Sequence, residues 1–384
     1  MQKRSGLGLI AGLAIIVAAC GGGATPTPAP AATPAPTVAP TAAPTAAPTA
    51  APVTPAPTKP AAATCDKALK VGLVTDVGRV NDKGFNQSAY EGMLAAKAAA
   101  PTCFEVDYIE TTSQSDYAKN IGEFADNGYD VVIGVGYLLG DAMGDASKAY
   151  PNAKFISIDG VPGKGHDESW ATNGESLFYA EDQAGYLAGV LAASVTTSNT
   201  IGVVGGLLVV PPVERFVEGY INGAKATKPD ITVKFTYTSS FTEPEQGKAA
   251  AQQMMDAGAD IIFGAGGLTG NGALLAACDK EKLAIGVDLD QWYTLPEAQA
   301  CLLSSATKDI VTSLQNALLR IATGTFAPGL KTEDAASRGI ALAPFHDNAG
   351  AVSPEVIALL ETTYAGLADG SIKTNVTVDG KTTE

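Results

Sequence analysis

Residues 71–100 read VGLVTDVGRVNDKGFNQSAYEGMLAAKAAA and join two segments of different periodicity. The first, Val71 to Thr75, is a short apolar run of strand length. The second, Phe85 to Ala99, is an Ala-rich segment in which apolar residues recur with helical spacing. A polar turn that begins at Asp76 separates them. Strand, polar turn and helix in this order predict one unit of a parallel sheet with helices packed on its faces.

The same alternation continues through the rest of the chain. Helical spacing recurs at Ala180 to Ser194, Glu214 to Ala226 and Pro244 to Ala257. Further runs of strand length are Val106 to Glu110, Val131 to Val135, Phe155 to Asp159, Ile201 to Val204, Val233 to Thr238, Ile261 to Gly264, Ala284 to Val287 and Leu302 to Ala306. Repeated units of this kind predict parallel strands with right-handed crossovers. Because about 320 residues exceed what one core usually serves, we expect two doubly wound α/β lobes.

The N-terminal residues have the features of an export signal. A basic head, Met1 to Arg4, precedes the apolar run Leu7 to Val17, which is too short for a permanent membrane span. Small residues then lead to Cys20, an arrangement that resembles the bacterial lipobox. We therefore predict a lipoprotein signal peptide at 1–20, lipidation of Cys20, and a lipid-anchored protein on the extracytoplasmic face of the cell membrane. An ordinary secretory signal that ends in cysteine is the alternative.

Residues 21–64 consist almost entirely of Ala, Pro and Thr. Such a segment cannot bury enough apolar surface to offset the entropy cost of ordering it. We predict a disordered tether between the anchor and the folded part.

Charge and cysteine content narrow the class of protein further. The formal net charge of −15 argues against binding to a nucleic acid polymer.

Cys65 and Cys103 each stand just before a predicted strand, so they meet if those strands are neighbours. We predict that pair, and Cys278 with Cys301, as disulfides; free buried thiols are the alternative. No cysteine or histidine spacing indicates a metal site, and no cofactor is predicted.

Polar and aromatic side chains follow several predicted strands. In parallel α/β sheets, ligands bind outside the carboxyl ends of the strands. Carboxylates and amides there suit a polar, neutral solute, and aromatic faces suit a ring. Each acidic residue alone could instead cap the following helix. The residues concerned are Asp76, Asn81, Phe85, Asn86, Asp159, Phe241, Asp288 and Asp290.

Several motifs in the right order resemble one known family. The chain is similar to the basic membrane protein family of solute-binding lipoproteins, also called PnrA-like or Med-like. The resemblance covers residues 68 to 375. The motifs are VGLVTDVGRVNDKGFNQSAYEGM at 71–93, IDG at 158–160, PPVERFVEGY at 211–220, SFTEPEQGKA at 240–249, TGNG at 269–272 and IGVDLDQ at 285–291.

The resemblance implies a type I periplasmic-binding-protein fold, in which two lobes joined by three crossovers enclose the ligand. With this topology the first lobe would comprise 65–172 plus about 308–335, and the second 173–307 plus about 336–384. The implied function is that of the substrate-binding lipoprotein of an ABC importer, a monomer that binds a purine nucleoside and docks permease subunits.

The resemblance also implies roles for individual residues. Phe85 and Phe241 would stack on opposite faces of a purine. Asp76 and Asn86 would contact the edge of the base. The remaining contacts would be Asp288 and Lys308 to the ribose, Asp159 as a further polar contact, Gly266 or Gly267 through close backbone approach to the sugar, and Arg215 either as a ligand contact or in an ion pair.

Other functions remain as alternatives. A sugar receptor of the same fold would also stack rings between aromatics and bind hydroxyls with Asp. A sensor that presents bound ligand to a receptor would use the same pocket. We find no catalytic machinery, since only His166 and His346 could act as bases near neutral pH, and His346 suits packing better. A nucleoside hydrolase would require an Asp-rich calcium site and is the least favoured alternative.

Overall fold

The computed structural model describes residues 64–163 and 169–383. These belong to one compact unit, Lys59–Glu384. The predicted signal peptide, Cys20, all but the last residue of the predicted tether, and His166 lie outside the described residues. Among the helices described, none is long and apolar enough to cross a membrane.

The first lobe is built on a six-stranded, fully parallel sheet with the strand order β2-β1-β3-β4-β5-β11. Its buried central strands are continuous apolar runs, as expected for a sheet covered by helices on both faces. Its elements are β1 (Leu69–Val77), α1 (Phe85–Ala99), β2 (Phe104–Thr111), α2 (Tyr117–Asp126), β3 (Val131–Val135), α3 (Gly140–Ala149), β4 (Lys154–Ile158), β5 (Gly174–Tyr179), α9 (Ile310–Ala322) and β11 (Gly329–Glu333).

The second lobe repeats this plan with the strand order β7-β6-β8-β9-β10-β12. All neighbouring strands are parallel except β12, which runs antiparallel to β10 at the edge. Its elements are α4 (Glu181–Val195), β6 (Thr200–Leu207), α5 (Pro211–Thr227), β7 (Thr232–Thr238), α6 (Pro244–Asp256), β8 (Ile261–Ala265), α7 (Gly267–Asp279), β9 (Leu283–Asp288), α8 (Gln291–Thr294), β10 (Leu302–Lys308), β12 (Ile340–Leu342) and α10 (Pro354–Ala368). The prediction of two doubly wound lobes is confirmed.

The chain passes between the lobes three times, as predicted: from β5 to α4, from β10 to α9, and from β11 to β12. Two of these crossovers lie side by side, since the Ala180 N–H donates to the Glu333 carbonyl at 2.9 Å. One boundary needs correction. Strand β5 pairs with β4 and β11 in the first sheet, so the first lobe continues to Tyr179 instead of ending at residue 172.

Two disulfides lie at the amino ends of strands. Cys65 is bonded to Cys103, beside the parallel pairing of β1 with β2. Cys278, at the end of α7, is bonded to Cys301 in the turn before β10. Each disulfide links two neighbouring parts of the same lobe.

Helices α4 and α5 pack with almost no side chain between their backbones. A Cβ atom built on Gly189 would lie 2.1 Å from the Tyr220 carbonyl oxygen, and one on Gly223 would lie 2.1 Å from that of Tyr186. These are separations that real Cβ atoms essentially never show. The close approach matters for the site because α4 and α5 carry charged residues that lie beside the cleft.

We predict that Gly189→Ala lowers the free energy of unfolding by about 1–3 kcal/mol or more, because the added methyl group forces the two helices apart. Urea unfolding followed by circular dichroism measures this change.

Gly122→Ala is the matched control in helix α2, where the new Cβ would have only the Asp126 carboxylate at 3.9 Å. Since Ala is favoured over Gly within a helix by about 0.5–1 kcal/mol, this variant should be slightly more stable than the parent chain. Equal effects of the two substitutions would show that the α4–α5 contact is not closely packed.

Candidate ligand-binding site

A cavity lies between the two lobes, at the carboxyl ends of strands from both sheets. This is the location that parallel α/β sheets favour for ligands. All eight side chains or backbones predicted to contact ligand line the cavity: Asp76, Phe85, Asn86, Asp159, Phe241, Gly266, Asp288 and Lys308. Gly267 lines it as well. The structure therefore brings together residues that are up to 232 positions apart in the sequence.

Aromatic and apolar side chains form much of the wall. Phe85 comes from the start of α1 in the first lobe, and Phe241 from the loop after β7 in the second. Gly206 makes room for the second ring, since a Cβ there would lie 2.2 Å from Phe241 Cε1. Phe216 adds a third ring from α5. Rings from facing lobes can thus enclose a flat ligand.

The first lobe holds its polar residues through Asp82, a buried residue that the sequence pattern does not single out. Its carboxylate accepts hydrogen bonds from the backbone N–H groups of Gly84, Asn86 and Gln87, which caps α1. It also accepts from Asn86 Nδ2 at 3.1 Å, while Asn86 Oδ1 accepts from the Asp76 N–H at 3.0 Å. Asn86 is therefore fixed in orientation and keeps one amide hydrogen for other partners.

Asp76 is the acidic residue at the end of β1. Burial raises the pKa of its carboxyl to about 6, although the hydrogen bond from the Tyr117 hydroxyl acts in the opposite direction. Gly136 is required beside it, since a Cβ there would lie 2.5 Å from Asp76 Oδ2, and its φ of +116° also favours glycine.

A buried cluster of charges lies where the lobes meet. Lys308 Nζ is 2.6 Å from Asp159 Oδ2 and 2.8 Å from Glu181 Oε1. Glu181 also accepts from Arg215 Nε at 2.7 Å. The other carboxylate oxygen of Asp159, Oδ1, is buried and has no hydrogen-bond partner among the described residues.

Two residues of this cluster, Arg215 and Glu181, do not line the cavity. Arg215 forms the ion pair with Glu181 and does not line the cavity, so the ion-pair alternative describes it correctly. It also donates to the carbonyl of Val378 in the C-terminal segment. Glu181 is missed because an acidic residue in the first turn of a helix is typical of an exposed cap. Its position directly after a crossover is the only signal that could have identified it.

The cluster changes the acidity of its members in different directions. Burial raises the pKa of Asp288 to about 7 and that of Asp159 to about 6, although Lys308 opposes both shifts. Burial alone would lower the pKa of Lys308, but the surrounding carboxylates outweigh it and raise the pKa. The pKa of Glu181 is lowered, because the positive charges of Arg215 and Lys308 outweigh the effect of burial, which alone would raise it. The site thus holds a permanent cation beside carboxyls that titrate near neutral pH.

Outside the cavity, His346 stacks on Trp292 with ring centroids 4.6 Å apart, and its Nε2 lies 2.8 Å from Asp290 Oδ2. This is a packing role. Within residues 64–163 and 169–383 there is no group of three or more His, Cys, Asp or Glu side chains placed to hold a metal ion.

Comparisons with known proteins agree with this architecture. The family model of the PnrA-like ABC transporter substrate-binding proteins matches residues 69–340. A Listeria monocytogenes relative described as a CD4+ T-cell-stimulating antigen is 31% identical over 324 residues, covering 80% of this chain and 88% of the relative. A Lactococcus lactis relative named ABC transporter nucleoside-binding protein BmpA is 35% identical over 240 residues, covering 59% of this chain and 65% of the relative.

A solved structure is also similar. The solute-binding protein of an ABC transporter system from Aeropyrum pernix superposes with a TM-score of 0.71 at 22% identity. The match covers 79% of this chain and 92% of that protein. At this identity the likeness shows the fold.

The raised pKa of Asp288 predicts how stability depends on pH. The Asp288 carboxyl binds its proton more tightly in the folded state than in the unfolded state. The free energy of unfolding therefore falls as the pH rises from 3.8, the ordinary pKa of the group, to about 7, its pKa in the folded protein. We expect Asp288→Asn to raise the melting temperature of the ligand-free protein at pH 8 and to raise it less at pH 5. Asn also tolerates the left-handed backbone at this position, where φ is +66°.

Asp260→Asn is the control of opposite sign. Burial acts to raise the pKa of Asp260, but hydrogen bonds from Thr196, Thr197 and Ser198 outweigh it and lower the pKa. Its ionised form therefore stabilises the fold at pH values above the unfolded pKa, and the substitution should lower the melting temperature at pH 8. Differential scanning fluorimetry across pH 5–8 compares the two variants. A lower melting temperature at pH 8 in both would contradict the raised pKa of Asp288.

Proposed function

Because the chain belongs to the PnrA-like family of ABC transporter substrate-binding proteins, we propose that it binds a purine nucleoside between its lobes and delivers it to an ABC permease. The observation that carries the proposal is the pairing of Phe85 and Phe241 from facing lobes with a row of buried carboxylates. A purine offers two flat faces to the rings, and a ribose offers hydroxyl donors to the carboxylates. The similar Lactococcus lactis protein is named as a nucleoside-binding protein, which supports this choice of ligand.

The charges of the cavity favour an uncharged ligand. Four aspartates line it, Asp76, Asp82, Asp159 and Asp288, against a single lysine, Lys308. A phosphate group would meet carboxylates at short range in a region of low dielectric constant. Nucleosides are therefore favoured over nucleotides.

The family resemblance implies individual contacts, which are part of the proposal. In this proposal Phe85 and Phe241 stack on the base, and Asp76 and Asn86 contact its edge. Asp288 accepts hydrogen bonds from the ribose hydroxyls.

Further contacts would come from the charge cluster and from the backbone. Lys308 has three ammonium hydrogens, of which Asp159 and Glu181 take two, so the third is left for a ribose oxygen. Asp159 Oδ1 needs a donor, which a ligand hydroxyl supplies. At Gly266 the backbone can approach the sugar without a side chain between them.

The setting of the protein is also part of the proposal. We infer from the sequence that lipidated Cys20 anchors the chain to the membrane and that residues 21–64 separate the folded lobes from the lipid. Closure of the lobes on ligand would then present a permease with a surface that the open form does not have.

We expect purine nucleosides to stabilise the protein in a thermal-shift screen. At 100 times its dissociation constant a ligand stabilises the fold by about 2.7 kcal/mol, which moves the melting temperature by a few degrees. The screen compares adenosine, guanosine, inosine, cytidine, uridine, ribose, glucose and xylose. A shift with sugars and none with purine nucleosides would replace the proposed ligand by a sugar.

We also expect Phe85→Ala and Phe241→Ala to weaken nucleoside binding, each through loss of a stack worth about 1–3 kcal/mol, or about fivefold or more in the dissociation constant. Isothermal titration calorimetry with inosine measures the change. Phe235→Ala is the control, because this ring lies on β7 outside the cavity with 54% of its surface exposed. Unchanged affinity in both cavity variants would refute the stacking role.

A further inference from the structure

The two lobes are joined across the cleft by hydrogen bonds from side chains that do not line the cavity. Asn271, Gln291 and Thr294 belong to the second lobe. Their partners are the backbone carbonyls of Asp82 and Lys83 in the turn before α1 of the first lobe. We name these five residues the cross-lobe latch.

The latch consists of a short set of well-formed bonds. Asn271 Nδ2 donates to the Asp82 carbonyl at 3.0 Å. The Lys83 carbonyl accepts from Gln291 Nε2 at 3.0 Å and from Thr294 Oγ1 at 2.9 Å. Gln291 Nε2 also donates to Asn271 Oδ1 at 2.8 Å, which ties the donors to one another. Both Asn271 and Gln291 are buried.

Both sides of the latch are held in place before they meet. In the second lobe, Gln291 Oε1 accepts from the Val287 N–H at 2.9 Å, and the Gln291 N–H donates to Ser305 Oγ at 3.1 Å. In the first lobe, the Asp82 carboxylate caps α1, and Lys83 has a left-handed backbone with φ of +67°. These contacts within each lobe hold the donors and the carbonyls of the turn in the orientation that the latch requires.

The turn leads directly into ligand-facing residues. Phe85 and Asn86 follow Lys83 within three positions, and Asp82 bonds to the Asn86 side chain. A force that holds the turn against the second lobe also holds the first-lobe part of the site in its closed position. The bonds exist only when the lobes meet, so they favour the closed state whether or not a ligand is present.

We infer that Asn271, Gln291 and Thr294 are positioning residues that set ligand affinity by stabilising the closed state, without touching the ligand. The inference rests on the proposed function only for its ligand readout. Loss of one such bond should raise the dissociation constant by about threefold to tenfold. The change should be mainly in the dissociation rate, since the latch forms after encounter.

The first test measures inosine and guanosine binding by stopped-flow kinetics in Asn271→Ala, Thr294→Val and the double variant. Thr294→Val keeps the shape of a half-buried side chain and is expected to fold normally. Asn348→Ala is the matched control, because Asn348 Nδ2 also donates to backbone carbonyls, those of Gln299 and Leu302, but within one lobe. Faster dissociation in the latch variants alone, with an unchanged preference between the two nucleosides, is the expected result.

The second test needs no ligand. Spin labels at the exposed positions Lys119 in α2 and Gln253 in α6 report the separation of the lobes by double electron–electron resonance. The double variant should lose part of the short-distance, closed population of the ligand-free protein. A closed population and dissociation rates identical to those of the parent chain would overturn the inference.

The two tests also separate this inference from the proposed function. If no nucleoside binds to any variant, the proposed function fails and the distance measurement alone decides on the latch. If nucleosides bind and the latch variants behave as Asn348→Ala does, the proposed function stands and the latch is refuted.

Discussion

The ammonium group of Lys308 is the point at which the two halves of the molecule depend on each other. It ends β10 in the second lobe, immediately before the chain crosses to α9, and it contacts Asp159 at the end of β4 in the first lobe. Glu181, the first residue after another crossover, forms ion pairs with both Lys308 and Arg215. Removing one partner from such a buried pair leaves an uncompensated charge, which costs about 3–5 kcal/mol. The hinge and the cavity are therefore parts of one electrostatic unit.

The cluster also explains why the cavity is suited to binding. Asp159 and Asp288 have pKa values near neutrality, because burial penalises their charged forms. Ligand hydroxyl groups can donate to Asp288 and to Asp159 Oδ1, which has no hydrogen-bond partner among the described residues. The cost of burying the charges appears as reduced stability of the empty protein, and the gain appears when the lobes enclose a solute. The latch contributes to closure in a different way, through contacts that are independent of what is enclosed.

Most of the fold and the cavity residues could be predicted from the sequence. Buried parallel strands are apolar runs, and ligand-facing residues follow them, so the strand ends together with the family resemblance located the residues that line the cleft. Strands β5, β11 and β12 were missed. GESLFY in β5 carries the buried Glu175, the edge strand β11 (GLKTE) is largely polar, and the edge strand β12 (IAL) has only three residues. Glu181 was missed because its ion-pair partners, Arg215 and Lys308, are distant in sequence. Asp82 was missed because its role depends on its side chain accepting hydrogen bonds from the start of the following helix. The cross-lobe latch depends on how two lobes meet, which a linear pattern does not encode.

Strands and helices of the first lobe come from two separate parts of the chain, and this affects the order in which the protein can fold. Helix α9 packs against α1, where Gly92 lies close to the Val311 backbone, and β11 closes the edge of the sheet beside β5. Both elements follow residues 180–308, which form most of the second lobe. During translation, the first lobe therefore has an uncovered apolar face on α1 and an open sheet edge at β5 until residue 333 has been synthesised. A chain interrupted before that point leaves an incomplete domain prone to aggregation, even though more than four-fifths of its residues are present.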